Sequence, residues 1–349
     1  MNDTKPSVHI VGAGGIGCAL GYALASAGWS VTFVDVNNRK IDDGLKHGVH
    51  VDAHPARRVM FIPFEDWRPG ARAILLLCTK CYDNEAVLAK VPATALLVPV
   101  QNGFDSRLHA HGHAFEGIAS FVSECEPDRP RTRITRRGEL HLGPRSVGAS
   151  SERWNLLVAT IRRTDLFRVM VVPEIESFKF AKLMYNSAIS PIAAAAGFDN
   201  GKLLSLPTAR KLFFELIHEN HRILTANGIR LGKVGPFRPE TVAWILRRRW
   251  LASLMAKAFE PSLRGTYCSM AGEIQKGRTE IDNYNGHLIR LAEQAGIECP
   301  LNRAVYALVE RMTRERAASH QDVLSELSSD SYCAPEAVIS KRRRFSSTM

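Results

Sequence analysis

From residue 8 to about 100, short aliphatic and β-branched runs (Val8 to Val11, Val31 to Val36, Ala73 to Cys78, Leu96 to Val100) alternate with stretches of helical periodicity. Strands separated by helices need crossovers, so a parallel sheet is expected. Gly117 to Ser123, Glu139 to Leu142 and Phe167 to Val172 read as further strands of the same unit. After about residue 174 long amphipathic segments follow: Phe178 to Ala195, Thr208 to Asn227, Pro239 to Phe259, Ile281 to Ala295 and Asn302 to Glu315. Gly228 and Gly296 stand where helices should end, and Pro300 separates the last two. The pattern predicts an α/β unit over 1–173, an all-α unit over 174–325 and a polar, basic, partly disordered tail over 326–349.

The first strand runs straight into Gly12-Ala13-Gly14-Gly15-Ile16-Gly17, which matches G-x-G-x-x-G and opens a helix. In that context the first glycine permits a tight turn, Gly14 lets the backbone approach a pyrophosphate, and Gly17 allows close packing of helix on strand. The helix N-terminus then receives the phosphate charge. Gly12, Gly14, Gly15 and Gly17 are therefore candidate cofactor contacts in a Rossmann, doubly wound sheet. Asp35 ends the second strand 23 positions after Gly12, where an acid would hold the ribose hydroxyls of NADH and repel the extra phosphate of NADPH. Asp is also common at strand ends as a turn residue, and Arg39 and Lys40 keep NADPH open.

With 349 residues and 45% hydrophobic content, the chain can build two full cores. No apolar run approaches the roughly 18 to 20 residues of a membrane helix. The N-terminal apolar stretch is too rich in glycine to favour a signal peptide over the turn just described. Seven scattered cysteines suit a reducing compartment, with cytoplasm as the default, and Cys78-x-x-Cys81 lacks a second pair to complete a metal site. The net charge of +11 raises the question of nucleic acid, but the basic clusters (Arg247 to Arg249, Lys341 to Arg344) are short and read as a helix face and a tail end. A positive field equally suits an anionic cofactor and substrate.

Four later segments narrow the chemistry. Leu77-Cys78-Thr79-Lys80 and Val100-Gln101-Asn102-Gly103 end strands at the expected cofactor edge, and Lys182-Leu183-x-x-Asn186 lies on the first helix of the second unit. Ser269-Met270 is followed by Gly277-Arg278-Thr279-Glu280-Ile281-Asp282-x-x-Asn285-Gly286. Together these segments resemble the ketopantoate reductase (2-dehydropantoate 2-reductase) family over roughly residues 8 to 315. The resemblance implies a Rossmann domain followed by a helical domain like the C-terminal domain of 6-phosphogluconate dehydrogenase. It implies Lys182 as catalytic lysine with Glu280 as its acidic partner, and Asn102, Asn186 and Ser269 as substrate contacts. Lys80 would stand at the junction of cofactor and substrate, and Asn102 would also border the cofactor. The implied substrate is a small anionic 2-oxo acid, reduced with NAD(P)H on the way to pantothenate and coenzyme A; the family leans to NADPH where Asp35 leans to NADH. A homodimer is compatible with it; no membrane or nucleic-acid partner is expected.

The residues are compatible with that chemistry. A lysine ammonium can give a proton to a ketone oxygen as hydride reaches the carbon. Lys182, Asn186 and Ser190, at i, i+4 and i+8, share one helix face. By pattern alone, however, Lys182 and its neighbour Lys179 read as solvated positions, and Glu280 as an acid at a helix start. Ser190, Cys268 and the short spacer before Glu280 depart from the family pattern, and the 236–260 segment adds to it. Another 2-oxo acid, a polyol phosphate, or a non-catalytic dinucleotide sensor with a nucleic-acid or protein partner are the alternative functions.

Overall fold

The computed structural model describes residues 6–328. Its first half holds β1 (Ser7–Val11), α1 (Gly15–Ser26), β2 (Ser30–Asp35), α2 (Asn38–His47), β3 (His50–Val51), β4 (Met60–Pro63), β5 (Ile74–Leu77), α3 (Asn84–Leu88) and β6 (Leu96–Pro99). There follow α4 (Ser106–His111), β7 (Phe115–Ala119), β8 (Val122–Cys125), β9 (Arg131–Arg136), β10 (Glu139–Pro144), α5 (Glu152–Ile161) and β11 (Arg168–Val171). Five strands form a parallel sheet in the order β4-β2-β1-β5-β6. The order reverses direction between β1 and β5, so the loops leaving their C-terminal ends diverge and open a crevice. β5 and β6 are almost wholly aliphatic because the sheet is covered on both faces.

Two three-stranded sheets flank this core, β11-β10-β7 and β3-β9-β8. The pattern did not reveal β3, β4 or β9. Arg131–Arg136 carries three arginines and forms a ladder on mostly half-exposed positions, so no apolar alternation marks it.

The second half is helical: α6 (Glu176–Ala196), α7 (Asn200–Ser205), α8 (Pro207–Ala226), α9 (Pro239–Leu246), α10 (Arg249–Leu263), α11 (Met270–Ile274), α12 (His287–Gln294), α13 (Pro300–Glu315) and α14 (Val323–Ser328). The helix expected over 239–259 is two, because Arg248 adopts an extended backbone (φ −110°, ψ 102°). Trp244 and Trp250 on either side of the break are exposed. Residues 326–328 still belong to α14; the remainder of the expected tail lies outside the described residues. No helix among the described residues is long and apolar enough to cross a membrane.

α6 runs unbroken through Pro191, although proline cannot donate to the carbonyl four residues back. That carbonyl, Ser187 O, accepts instead from Asn285 Nδ2 at 2.9 Å. Asn285 sits in a one-turn π-helix, Asp282–Gly286, and also donates to Asn302 Oδ1. Asn302 in turn reaches Glu219 and Asn220, and Asn220 returns to Met184 O and the Ser187 hydroxyl. A buried, closed polar network thus fixes the central turns of α6.

Candidate active site

The turn after β1 has the backbone that its glycines require. Gly12 takes φ +99°, and a Cβ on Gly17 would run into the Gly12 carbonyl. Gly14 has open space before it, and α1 begins with neither a side-chain cap nor an acid in its first turn. Its first amides are free to meet an anion, so the cradle fits a dinucleotide pyrophosphate. Asp35 ends β2 with Oδ2 accepting from Ala13 N (2.8 Å) and Oδ1 from Asn37 N (3.0 Å). Lys40 is buried, donating to Ala13 O at 3.2 Å, and Arg39 pairs with Asp128 at 3.4 Å.

Across the crevice, the loop after β5 meets the helical half at Lys80. Its ammonium is 2.6 Å from Glu273 Oε1 and 2.8 Å from both Glu280 Oε2 and Ser269 Oγ. Three donors meet three acceptors, so Lys80 is saturated. Burial opposes its charge, but Glu280 and Glu273 outweigh burial and push its pKa above the ordinary lysine value. Burial, with Glu280 adding, raises Glu273. Glu280, 2% exposed, also accepts from the backbone amide of Cys81 at 3.1 Å. The expected partner of Glu280 was Lys182; in the structure its carboxylate is engaged by Lys80 and Cys81, whose loop reaches it across the crevice.

Lys182 stands apart from this cluster. It is half-buried on α6, and among the described residues its ammonium makes no hydrogen bond or ion pair. Burial, assisted by the charge of Arg136 at the end of β9, lowers its pKa to about 8. One turn on, the Asn186 side chain lies near the Tyr284 hydroxyl. Tyr284 packs against Gly103, where a Cβ would lie 2.8 Å from its ring. The carbonyl of neighbouring Asn102 accepts from the Cys81 thiol at 3.1 Å, and Asn102 Oδ1 is buried without a partner among the described residues, an acceptor that a ligand donor could meet. Ser269 and Glu280 thus meet at Lys80, while Gly103, next to Asn102, packs on Tyr284, which lies near Asn186 one turn from Lys182.

Several participants escaped sequence reasoning. Glu273 lies in the spacer before Glu280 with no motif to mark it, and Arg136 lies on an unrecognised strand. Lys179 is buried rather than solvated: it meets Glu116 on β7 at 2.6 Å and lies over the Phe104 ring at 4.9 Å. His113 and Arg145 also contact Glu116, at 2.5 and 3.5 Å. A lysine at helical spacing on a surface-like pattern carries no local signal for such a partner.

Comparison with known proteins gives a consistent result. The model of the ketopantoate reductase PanE/ApbA family matches residues 8–144, and that of the family's C-terminal domain matches residues 174–313. A 2-dehydropantoate 2-reductase of Pyrococcus horikoshii is 28% identical, the alignment covering 87% of this chain and 96% of the relative. Among solved structures, a PanE/ApbA family ketopantoate reductase from Ralstonia eutropha superposes with a TM-score of 0.71 at 21% identity, over 89% of this chain and 99% of the other. A D-mandelate dehydrogenase in ternary complex with NADH and anilino(oxo)acetate gives the same TM-score at 16% identity, over 89% and 99%. At such identities the two structures testify to the fold alone.

Proposed function

The chain belongs to the ketopantoate reductase family, and from that premise we propose that it reduces 2-dehydropantoate to pantoate with a reduced nicotinamide dinucleotide. It is an oxidoreductase acting on a ketone, and pantothenate synthesis is the pathway this reaction serves. The observation that carries the assignment of roles is the contrast between two lysines. Lys80 has every proton committed and is held charged by two carboxylates. Lys182 has no partner among the described residues and a pKa of about 8.

When bound, the cofactor supplies a hydride to the ketone carbon, and the amides at the start of α1 together with Asp35 are the groups that would hold it. Lys182 gives its proton to the ketone oxygen as negative charge develops there; a pKa near the working pH suits an acid that must both hold and release a proton. Asn186 and Asn102 orient the substrate by hydrogen bonds. Lys80 and Ser269 offer positive charge and a hydroxyl to its carboxylate, for which Ser269 would have to yield its place on Lys80. Glu280 fixes Lys80 and thereby the edge of the crevice. Asp35 supports NADH over NADPH, because its carboxylate stands where the adenosine ribose is expected and would repel a phosphate there.

The test is a paired titration with NADH and NADPH, followed by nicotinamide absorbance with a panel of ketones. Ketopantoate should be turned over, and NADH should bind more tightly than NADPH. Turnover of another 2-oxo acid or of a polyol phosphate with ketopantoate inert would reject the substrate. Absence of binding by either dinucleotide would reject the whole proposal.

A further inference from the structure

Beneath the cofactor turn lies a thiol pair that the reductase chemistry does not use. Cys18, in the first turns of α1 and without exposed surface, donates to the Ala13 carbonyl at 3.3 Å. Cys125, half-buried at the end of β8, has its sulfur 3.5 Å from the same carbonyl and 3.7 Å from the ammonium of Lys40. The two sulfurs thus converge on one carbonyl oxygen, close enough to shift each other's ionisation, and Thr132 of β9 lies beside them.

Their environments drive them apart. The neighbouring Cys18, with help from Lys40, stabilises a Cys125 thiolate against burial. Cys18 is pushed the other way by the same pairing and by its burial. Cys78, Cys81, Cys268 and Cys299 are all raised, mainly by burial, so Cys125 is the described cysteine with thiolate character.

We infer that Cys125 and Cys18 form a peroxide-reactive pair that closes to a disulfide linking the β8–β9 hairpin to the cofactor helix. The Cys125 thiolate attacks one peroxide oxygen; the O–O bond breaks, Cys125 becomes a sulfenic acid, and the departing hydroxide takes a proton to become water. The Cys18 sulfur then attacks the Cys125 sulfur, the S–O bond breaks, and hydroxide leaves with the Cys18 proton as a second water. The pair is oxidised by two electrons and one peroxide is reduced. Oxidation removes the thiol proton that Cys18 gives to Ala13 and the thiolate that faces Lys40. Ala13 belongs to the turn that receives the cofactor, so oxidation weakens dinucleotide binding; this consequence, unlike the disulfide itself, rests on the function proposed above.

The experiment treats the reduced full-length protein with hydrogen peroxide, then applies peptide mass spectrometry and a dinucleotide fluorescence titration. A linked Cys18–Cys125 peptide, reversible by dithiol, is expected, with cofactor affinity lowered several-fold. In Cys18→Ser the reaction should stop at a Cys125 sulfenic acid that dimedone traps. An unmodified Cys125 at peroxide levels that oxidise free cysteine would overturn the site, and so would oxidation at other cysteines in its place. A disulfide with unchanged cofactor affinity would overturn the coupling. The mass measurement is independent of turnover, so loss of the reductase function and loss of this site can be told apart.

Discussion

Which group governs the proton of Lys182 can be decided by two substitutions and a pH profile. Its depressed pKa arises first from burial and second from Arg136; Glu280 contributes nothing resolved. With an acid of pKa about 8, kcat/KM for the ketone should be flat below that pH and fall about tenfold per unit above it, as the proton donor is lost. Glu280→Gln removes a charge that meets Lys80 and the Cys81 amide. Breaking a fully buried pair costs about 3 to 5 kcal/mol, but Lys80 is one-third exposed and keeps Glu273. A loss of stability of about 1 to 2 kcal/mol is therefore expected, read as a lowered urea midpoint. The limb near 8 should stay in place. Arg136→Gln should raise that limb, yet leave it short of the ordinary lysine value of 10.5 because burial remains. Steady-state rates at saturating cofactor across the alkaline range provide the measurement. A limb that moves with Glu280→Gln and ignores Arg136→Gln would refute the separation of the two lysines.

Replacing Lys182 by Ala should lower kcat by at least about 100-fold with the dinucleotide dissociation constant nearly unchanged, checked by turnover and fluorescence titration; unaltered kcat would remove its role as acid. Asp35→Ser should raise the ratio of NADPH to NADH efficiency by about tenfold or more, since a fixed negative charge is withdrawn from the ribose edge. A ratio that does not move would strip Asp35 of that role. Although burial opposes it, Lys179 and then His113 hold the Glu116 carboxyl at about 2, below its usual 4.5. That depression contributes stability, on the order of 3 kcal/mol, fully present above about 4.5 and lost as pH falls toward 2. Urea midpoints should therefore show a gap between wild type and Glu116→Gln that narrows over that acid range, and a constant gap would contradict the linkage.

The parallel sheet and the helical half were legible because each rests on a repeated local signal. Leu96 to Val100 is buried on both faces and is wholly apolar, and Val8, Ile10 and Val11 are buried with only His9 between them partly exposed. The glycine turn was legible because backbone geometry at Gly12 and close packing at Gly17 exclude other residues. What failed was everything decided by distant partners. Lys80 and Glu280 are 200 positions apart, and no local pattern records that they meet. The Glu116 partner of Lys179 lies on a strand of the other half. The break at Arg248 carries neither glycine nor proline, so periodicity ran through it.

The network behind α6 explains why its face can be precise without being apolar. A proline four residues beyond Ser187 would ordinarily leave a buried carbonyl unpaired, at a cost of about 1 to 3 kcal/mol. Asn285 satisfies it, and can do so only because the π-turn Asp282–Gly286 brings its amide to that point. The same turn begins two residues after Glu280, and Tyr284 within it lies near Asn186. One segment of seven residues, Glu280 to Gly286, therefore anchors Lys80 at one end and supports the helix carrying Lys182 at the other. The two lysines are set relative to each other through a single rigid turn, so a substitution at Asn285 should disturb chemistry although it touches neither.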